Sequence, residues 1–112
     1  MDEPTPLNAS QAAALQDMMI AALRTCYDPE IPVNICDLGL IYEAKVDTSG
    51  HAFVKMTLTA PGCPASGWLA GEVEDKINAL PGIKSVKVDV VWDPPWSKEM
   101  MSEAAKLQLG FL

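Results

Sequence analysis

The residues best suited to chemistry lie in TLTAPGCPAS, Thr57 to Ser66. There a strand-like run stops at Pro61 and Gly62 and delivers Cys63 to the start of a helix. Pro64 follows, and proline is favoured at the first helical position because its missing N–H would have no partner there anyway. Cys63 therefore reads as the N-cap, facing the positive end of the helix dipole and several unpaired N–H groups. Both stabilise a thiolate, which is the nucleophilic and metal-binding form of cysteine. The chemistry on offer is that of a reactive, metal-competent sulfur. Its rival is an inert cysteine packed as a small apolar residue.

Two further stretches carry polar residues in rigid surroundings. Asp28 to Leu40, DPEIPVNICDLGL, is a loop with two prolines that ends in Asp37-Leu38-Gly39. It could be a plain connector in which Asp37 caps its own turn. Asp93 to Trp96, DPPW, stops a strand sharply. Cys26 falls on the buried stripe of a helix, where a core role suits it. Cys36 could offer a second sulfur if it faces Cys63, or point into solvent.

The elements that position these residues follow from hydrophobic periodicity. Met1 to Leu7 reads as a mobile leader and residues 8–112 as one domain. Asn8 and Gln11 form a capping-box start for a helix. Leu15, Met18, Met19, Ala22, Leu23 and Cys26 recur at helical spacing, and Pro29 ends the helix near Tyr27. Leu40, Tyr42, Ala44 and Val46 alternate with Ile41, Glu43, Lys45 and Asp47 as a strand. Thr48 to His51 is a turn, and Ala52 to Thr59 returns with Val54, Met56 and Leu58 inward. Leu69, Ala70, Val73, Ile77 and Leu80 predict a second helix closed by Pro81-Gly82. Ile83 to Trp92 is a third strand with Val86, Val88, Val90 and Trp92 on one face. Ser97 then caps a last helix with the stripe Met100, Ala104, Leu107 and Phe111. The order α-β-β-α-β-α predicts a compact two-layer α/β (α+β) domain with a small mixed three-stranded sheet.

In an antiparallel hairpin the end of the second strand lies beside the start of the first. The next helix forms a crossover, so the third strand runs parallel to the second. Thr59, Cys63, Asp37, Trp92, Asp93 and Trp96 should therefore gather at one end. His51, the single histidine, belongs at the other end, roughly 30 Å from Cys63. A Cys–His nucleophile pair or zinc site within one chain is thereby disfavoured. Paired Cys-x-x-Cys motifs and glycine-rich phosphate loops are missing, so no nucleotide cofactor is expected.

Composition bounds the rest. The 112 residues carry 8 Lys and Arg against 15 Asp and Glu, a net charge of −7. Such a surface repels nucleic acid and anionic lipid. The longest strongly apolar interval, Met18 to Leu23, is far short of a membrane span. An odd count of three cysteines fits a reducing compartment, and a cytoplasmic protein is expected.

Four motifs in order, DPEIPVNICDLGLIY (Asp28 to Tyr42), MTLTAPGCP (Met56 to Pro64), LPGI (Leu80 to Ile83) and VVWDPPWSKEMMSEAAKLQLG (Val90 to Gly110), closely resemble the SufT/PaaD-like family of iron–sulfur cluster assembly factors. The resemblance implies an iron–sulfur assembly domain fold and a non-catalytic role in iron–sulfur protein maturation, carrying or delivering clusters or iron. It places the family's cysteine on Cys63, its Asp-x-Gly turn on Asp37 and Gly39, its threonines on Thr57 and Thr59, and its DPPW loop on Asp93, Pro94, Pro95 and Trp96, with Pro61 shaping the approach to the thiol. Cys26 and Cys36 match no family cysteine.

The partners implied are Suf-type scaffold or carrier proteins and client apo-proteins. The cargo implied is a transient iron–sulfur cluster or iron. One thiolate cannot supply the four ligands a cluster normally takes. The others would come from a second copy of the chain in a homodimer, a small thiol or a client. Three alternatives stand beside this reading: a PaaD-like helper of a multicomponent phenylacetyl-CoA oxygenase, a thiol-dependent enzyme and a pure adaptor. The oxygenase-linked branch usually adds a cysteine-rich C-terminal segment, and none is read after Gly110-Phe111-Leu112, so the Suf-linked branch is the one expected. No base within the chain suits a thiol enzyme, and unchanged client binding and maturation after Cys63→Ser would favour the adaptor.

Overall fold

The computed structural model describes residues 7–28, 31–59 and 65–110. Their order is α1 (Ala9–Leu23), α2 (Ile35–Leu38), β1 (Ile41–Val46), β2 (His51–Met56), α3 (Ala65–Asn78), β3 (Ser85–Val90), a 3-10 turn (Lys98–Met100) and α4 (Glu103–Gln108). The sheet order is β1-β2-β3, with β1 antiparallel and β3 parallel to β2. This is the mixed three-stranded α+β domain expected from the pattern.

Local chemistry explains the boundaries. The Asn8 side chain accepts from Gln11 N at 2.8 Å while Gln11 Oε1 accepts from Asn8 N at 2.9 Å, a complete capping box for α1. In the hairpin turn the Asp47 carboxylate accepts from the backbone N–H groups of Ser49 and His51. The His51 N–H is the main reason the Asp47 carboxyl sits below the usual carboxylate range. Helices α1 and α3 pack on one face of the sheet. Met19, Leu23, Val54, Met56, Leu69, Val73 and Ile77 are buried between them, each worth about 1.5–3 kcal/mol for leaving water.

Four expectations are corrected. Ile41 pairs with Met56 but Glu43 with Lys55, so Tyr42 is an extra residue in a β-bulge. The bulge reverses the alternation: Ile41, Ala44 and Val46 pack on the core, and Tyr42 turns to the other face. Trp92 does not continue the valine face of β3 and is 43% exposed, because the strand ends at Val90. Finally, Ser97 makes no side-chain capping bond; Met101 is extended (ψ 147°) and breaks the chain between the 3-10 turn and α4. Ser102 caps α4 instead, accepting from Ala105 N at 3.1 Å. The buried face is then Met101 and Ala105, while Leu107 is 67% exposed. Phe111 lies outside the described residues. Met18, placed on the buried stripe of α1 by its spacing, is 39% exposed.

Candidate functional site

The Asp37 turn is more ordered than a connector. Asn34 caps α2 by accepting from the N–H groups of Cys36 and Asp37, both at 3.0 Å. Its Nδ2 donates to Asp37 Oδ2 at 2.8 Å, and Arg24 Nη1 lies 3.4 Å from Asp37 Oδ1. Both carboxylate oxygens are thus held, and the Asp37 carbonyl accepts from Ser102 N at 2.8 Å. Gly39 ends α2 at φ 88°, a left-handed conformation that glycine adopts without a Cβ penalty. A Cβ there would sit 2.3 Å from the Met100 carbonyl oxygen, so the chain around Met100 lies directly on the glycine.

The three chain segments meet at this end. Thr57 N donates to Leu40 O at 2.8 Å, and Val91 N to Met56 O at 2.8 Å. Thr57 is fully buried, and among the described residues its Oγ1 has no hydrogen-bond partner. A buried hydroxyl without a partner is costly, and such exceptions call for an explanation. Thr59 is half-buried. The Asp93 to Trp96 loop is pinned at two points: Tyr42 Oη donates to Pro94 O at 2.7 Å and Trp96 Nε1 to Leu38 O at 2.8 Å. Asp93, Pro94 and Pro95 remain exposed. Between loop and sheet lies an open cleft of about 750 Å³, whose wall includes Cys36, Gly39, Tyr42, Asp93, Pro94 and Met100.

Asp37, Gly39, Thr57 and the Asp93 to Trp96 loop are therefore gathered at one end of the sheet. Helix α3 begins at Ala65; Pro61 and Cys63 lie outside the described residues. Cys36 is half-buried, and burial pushes its thiol up to about 11, so it is protonated at neutral pH. Cys26 is buried, and desolvation raises its thiol too. Neither offers a ready thiolate. His51 is at the far end of β2, with Nδ1 2.6 Å from Ser85 Oγ. Five residue steps along the strand, about 17 Å, separate it from Met56. Sequence reasoning missed Asn34, Arg24, Tyr42 and Met100. Asn34 was recoverable, since asparagine three residues before an acid is a helix-start signal; the others act through tertiary contacts.

A family model described as "Iron-sulfur cluster assembly protein" matches residues 16–90. The chain belongs to that family. It is 50% identical to a Fe-S protein maturation auxiliary factor of Porphyromonas gingivalis, over 87% of this chain and 92% of that protein. It is 43% identical to the Fe-S protein maturation auxiliary factor SufT of Staphylococcus aureus, over 74% of this chain and 94% of that one. The crystal structure of a domain of unknown function from Bacillus anthracis superposes with a TM-score of 0.84 at 39% identity, covering 94% of this chain and all of that one. The matched stretch holds Asp37, Thr57, Thr59 and Cys63, while the Asp93 to Trp96 loop follows it. Among the described residues no helix is long and apolar enough to cross a membrane.

Proposed function

We propose that this chain is a non-catalytic accessory factor in iron–sulfur protein maturation, which carries or delivers a cluster, or iron, to client apo-proteins through Cys63. The observation that supports it most directly is Thr57: a fully buried threonine whose hydroxyl has no partner among the described residues, at the sheet end where Asp37 and the Asp93 to Trp96 loop are fastened. A hydroxyl left unpaired at a cost to stability suits a group reserved for cargo. Membership of an iron–sulfur cluster assembly family and similarity to maturation auxiliary factors favour the same reading.

In this reading Cys63 is the sulfur ligand, and Thr57, Thr59 and Asp37 orient and polarise its surroundings. Pro61 and the Asp93, Pro94, Pro95 and Trp96 loop shape the surface on which a scaffold, carrier or client docks. Clusters normally need four protein ligands, mostly thiolates, so one sulfur holds cargo only in company. Such a ligand-poor site releases what it holds, which suits delivery better than storage. Replacing Cys63 by alanine and following the recovery of iron–sulfur enzyme activity in cells tests this. Maturation should fall as far as it does without the protein; maturation at the wild-type rate would refute the role of the thiol.

A further inference from the structure

The two edges of the sheet are treated differently. Along β1 the side-chain amide of Gln16 covers the edge: its Nε2 donates to the Ala44 carbonyl, and its Oε1 accepts from Val46 N at 3.2 Å. One glutamine thus occupies the donor and acceptor that another strand would seek. Along β3 no side chain among the described residues gives such cover. Among the described residues no backbone hydrogen bond joins β3 to anything but β2 and its continuation. An open edge is a ready template for pairing, which proteins usually block.

The direction of the free groups follows from one bond. Val91 N donates to Met56 O, toward β2. Hydrogen-bonding directions alternate along a strand, so the N–H and C=O groups of Val86, Val88 and Val90 aim outward. The same three valines pack their side chains on the core, while Lys87 and Asp89 are exposed on the other face and make no ion pair among the described residues.

We propose that β3 is a self-pairing edge: two copies of the chain join antiparallel through Ser85–Val90 about a two-fold axis at Val88, making one continuous six-stranded sheet. The sequence SVKVDV is self-complementary in that register alone. Val88 meets the partner's Val88 and exchanges both backbone bonds with it, and Val86 meets the partner's Val90. Lys87 lies opposite the partner's Asp89, and Asp89 opposite the partner's Lys87. An axis at Lys87 would set lysine against lysine, and one at Asp89 acid against acid, both unfavourable for directly opposed residues. An axis between residues would set valine against a charged residue and turn one core face outward. The interface is isologous, as closed two-fold dimers require, and it takes a second copy rather than an arbitrary strand because charge and apolar positions match only this sequence. This surface is independent of Cys63 and of the function proposed above.

Sedimentation equilibrium on the full chain, with circular dichroism to confirm folding, tests it. The wild type should dimerise. Lys87→Asp sets acid against acid, and Asp89→Lys sets lysine against lysine; each alone should weaken the dimer tenfold or more. Mixed in equal amounts, these two variants should form a heterodimer, since each carries the charges that the other needs. The Lys87→Asp/Asp89→Lys double variant, which swaps the two charges in place, should dimerise again. A wild type that stays monomeric at its highest soluble concentration overturns the proposal. So does a dimer indifferent to both single changes, or single variants that weaken but do not recombine. If a single variant fails to fold, the double variant decides: a folded monomer refutes the pairing.

Discussion

Trp96 Nε1 donates to the carbonyl of Leu38 at 2.8 Å across 58 residues of chain. This bond fastens the loop after β3 to the turn that carries Asp37, and it is why the two motifs form one surface. Trp96→Phe removes the donor while keeping most of the packing. Stability should fall by about 1 kcal/mol, the net worth of a typical internal hydrogen bond, as read from urea denaturation. Proton exchange of the Ser102 N–H, which donates to the Asp37 carbonyl, should quicken. A variant as stable as wild type with unchanged exchange would show that the loop is held elsewhere.

Gly39 is the second fastening. At φ 88°, with a Cβ position 2.3 Å from the Met100 carbonyl oxygen, alanine meets both backbone strain and backbone overlap. Gly39→Ala should destabilise by roughly 1–3 kcal/mol or more, seen as a lower denaturation midpoint with an unchanged slope. A neutral result would contradict the close contact of the two segments.

Thr57→Val is nearly isosteric and removes an oxygen that has no partner among the described residues. If the hydroxyl were structural, its loss would destabilise; here stability should hold or rise by up to about 1 kcal/mol. Client maturation should fall by on the order of 10–100-fold, the usual cost of removing a group that orients a metal ligand. Lost stability with intact maturation would assign Thr57 to the scaffold alone.

Cys36 gives a pH signature. Its folded thiol is pushed up from 9.0 to about 11, chiefly by burial. Between those values the unfolded chain loses the proton first, so the contribution of the neutral thiol is fully present below pH 9 and lost as pH rises toward 11. Denaturation midpoints should fall more steeply over that window in wild type than in Cys36→Ala. Equal slopes would mean that the thiol ionises as freely in the fold as out of it.

Much of this was readable from residue types and spacing, because each depends on local chemistry. The Asn8 and Gln11 box, the hairpin about Gly50 and the crossover through Leu69, Val73 and Ile77 all announce themselves. The approach of Asp37 to the Asp93 to Trp96 loop followed from strand order alone. What escaped depends on tertiary geometry. The bulge at Tyr42 is invisible to strict alternation, and it is what turns the phenol toward Pro94. The last helix was expected to start at Ser97 but starts at Ser102, because serine suits an N-cap at either position and only packing of Met101 and Ala105 on the core chooses between them. Trp92 looked like core by parity but falls beyond the end of β3.

The central claim is that Cys63 is the sulfur through which cargo is held. Anaerobic incubation with iron and sulfide, followed by absorption spectroscopy and native mass measurement, tests it on wild type, Cys63→Ala and Cys36→Ala side by side. Iron, with or without sulfide, should bind to wild type and to Cys36→Ala and be lost from Cys63→Ala. Equal loading of Cys63→Ala and wild type would contradict the account.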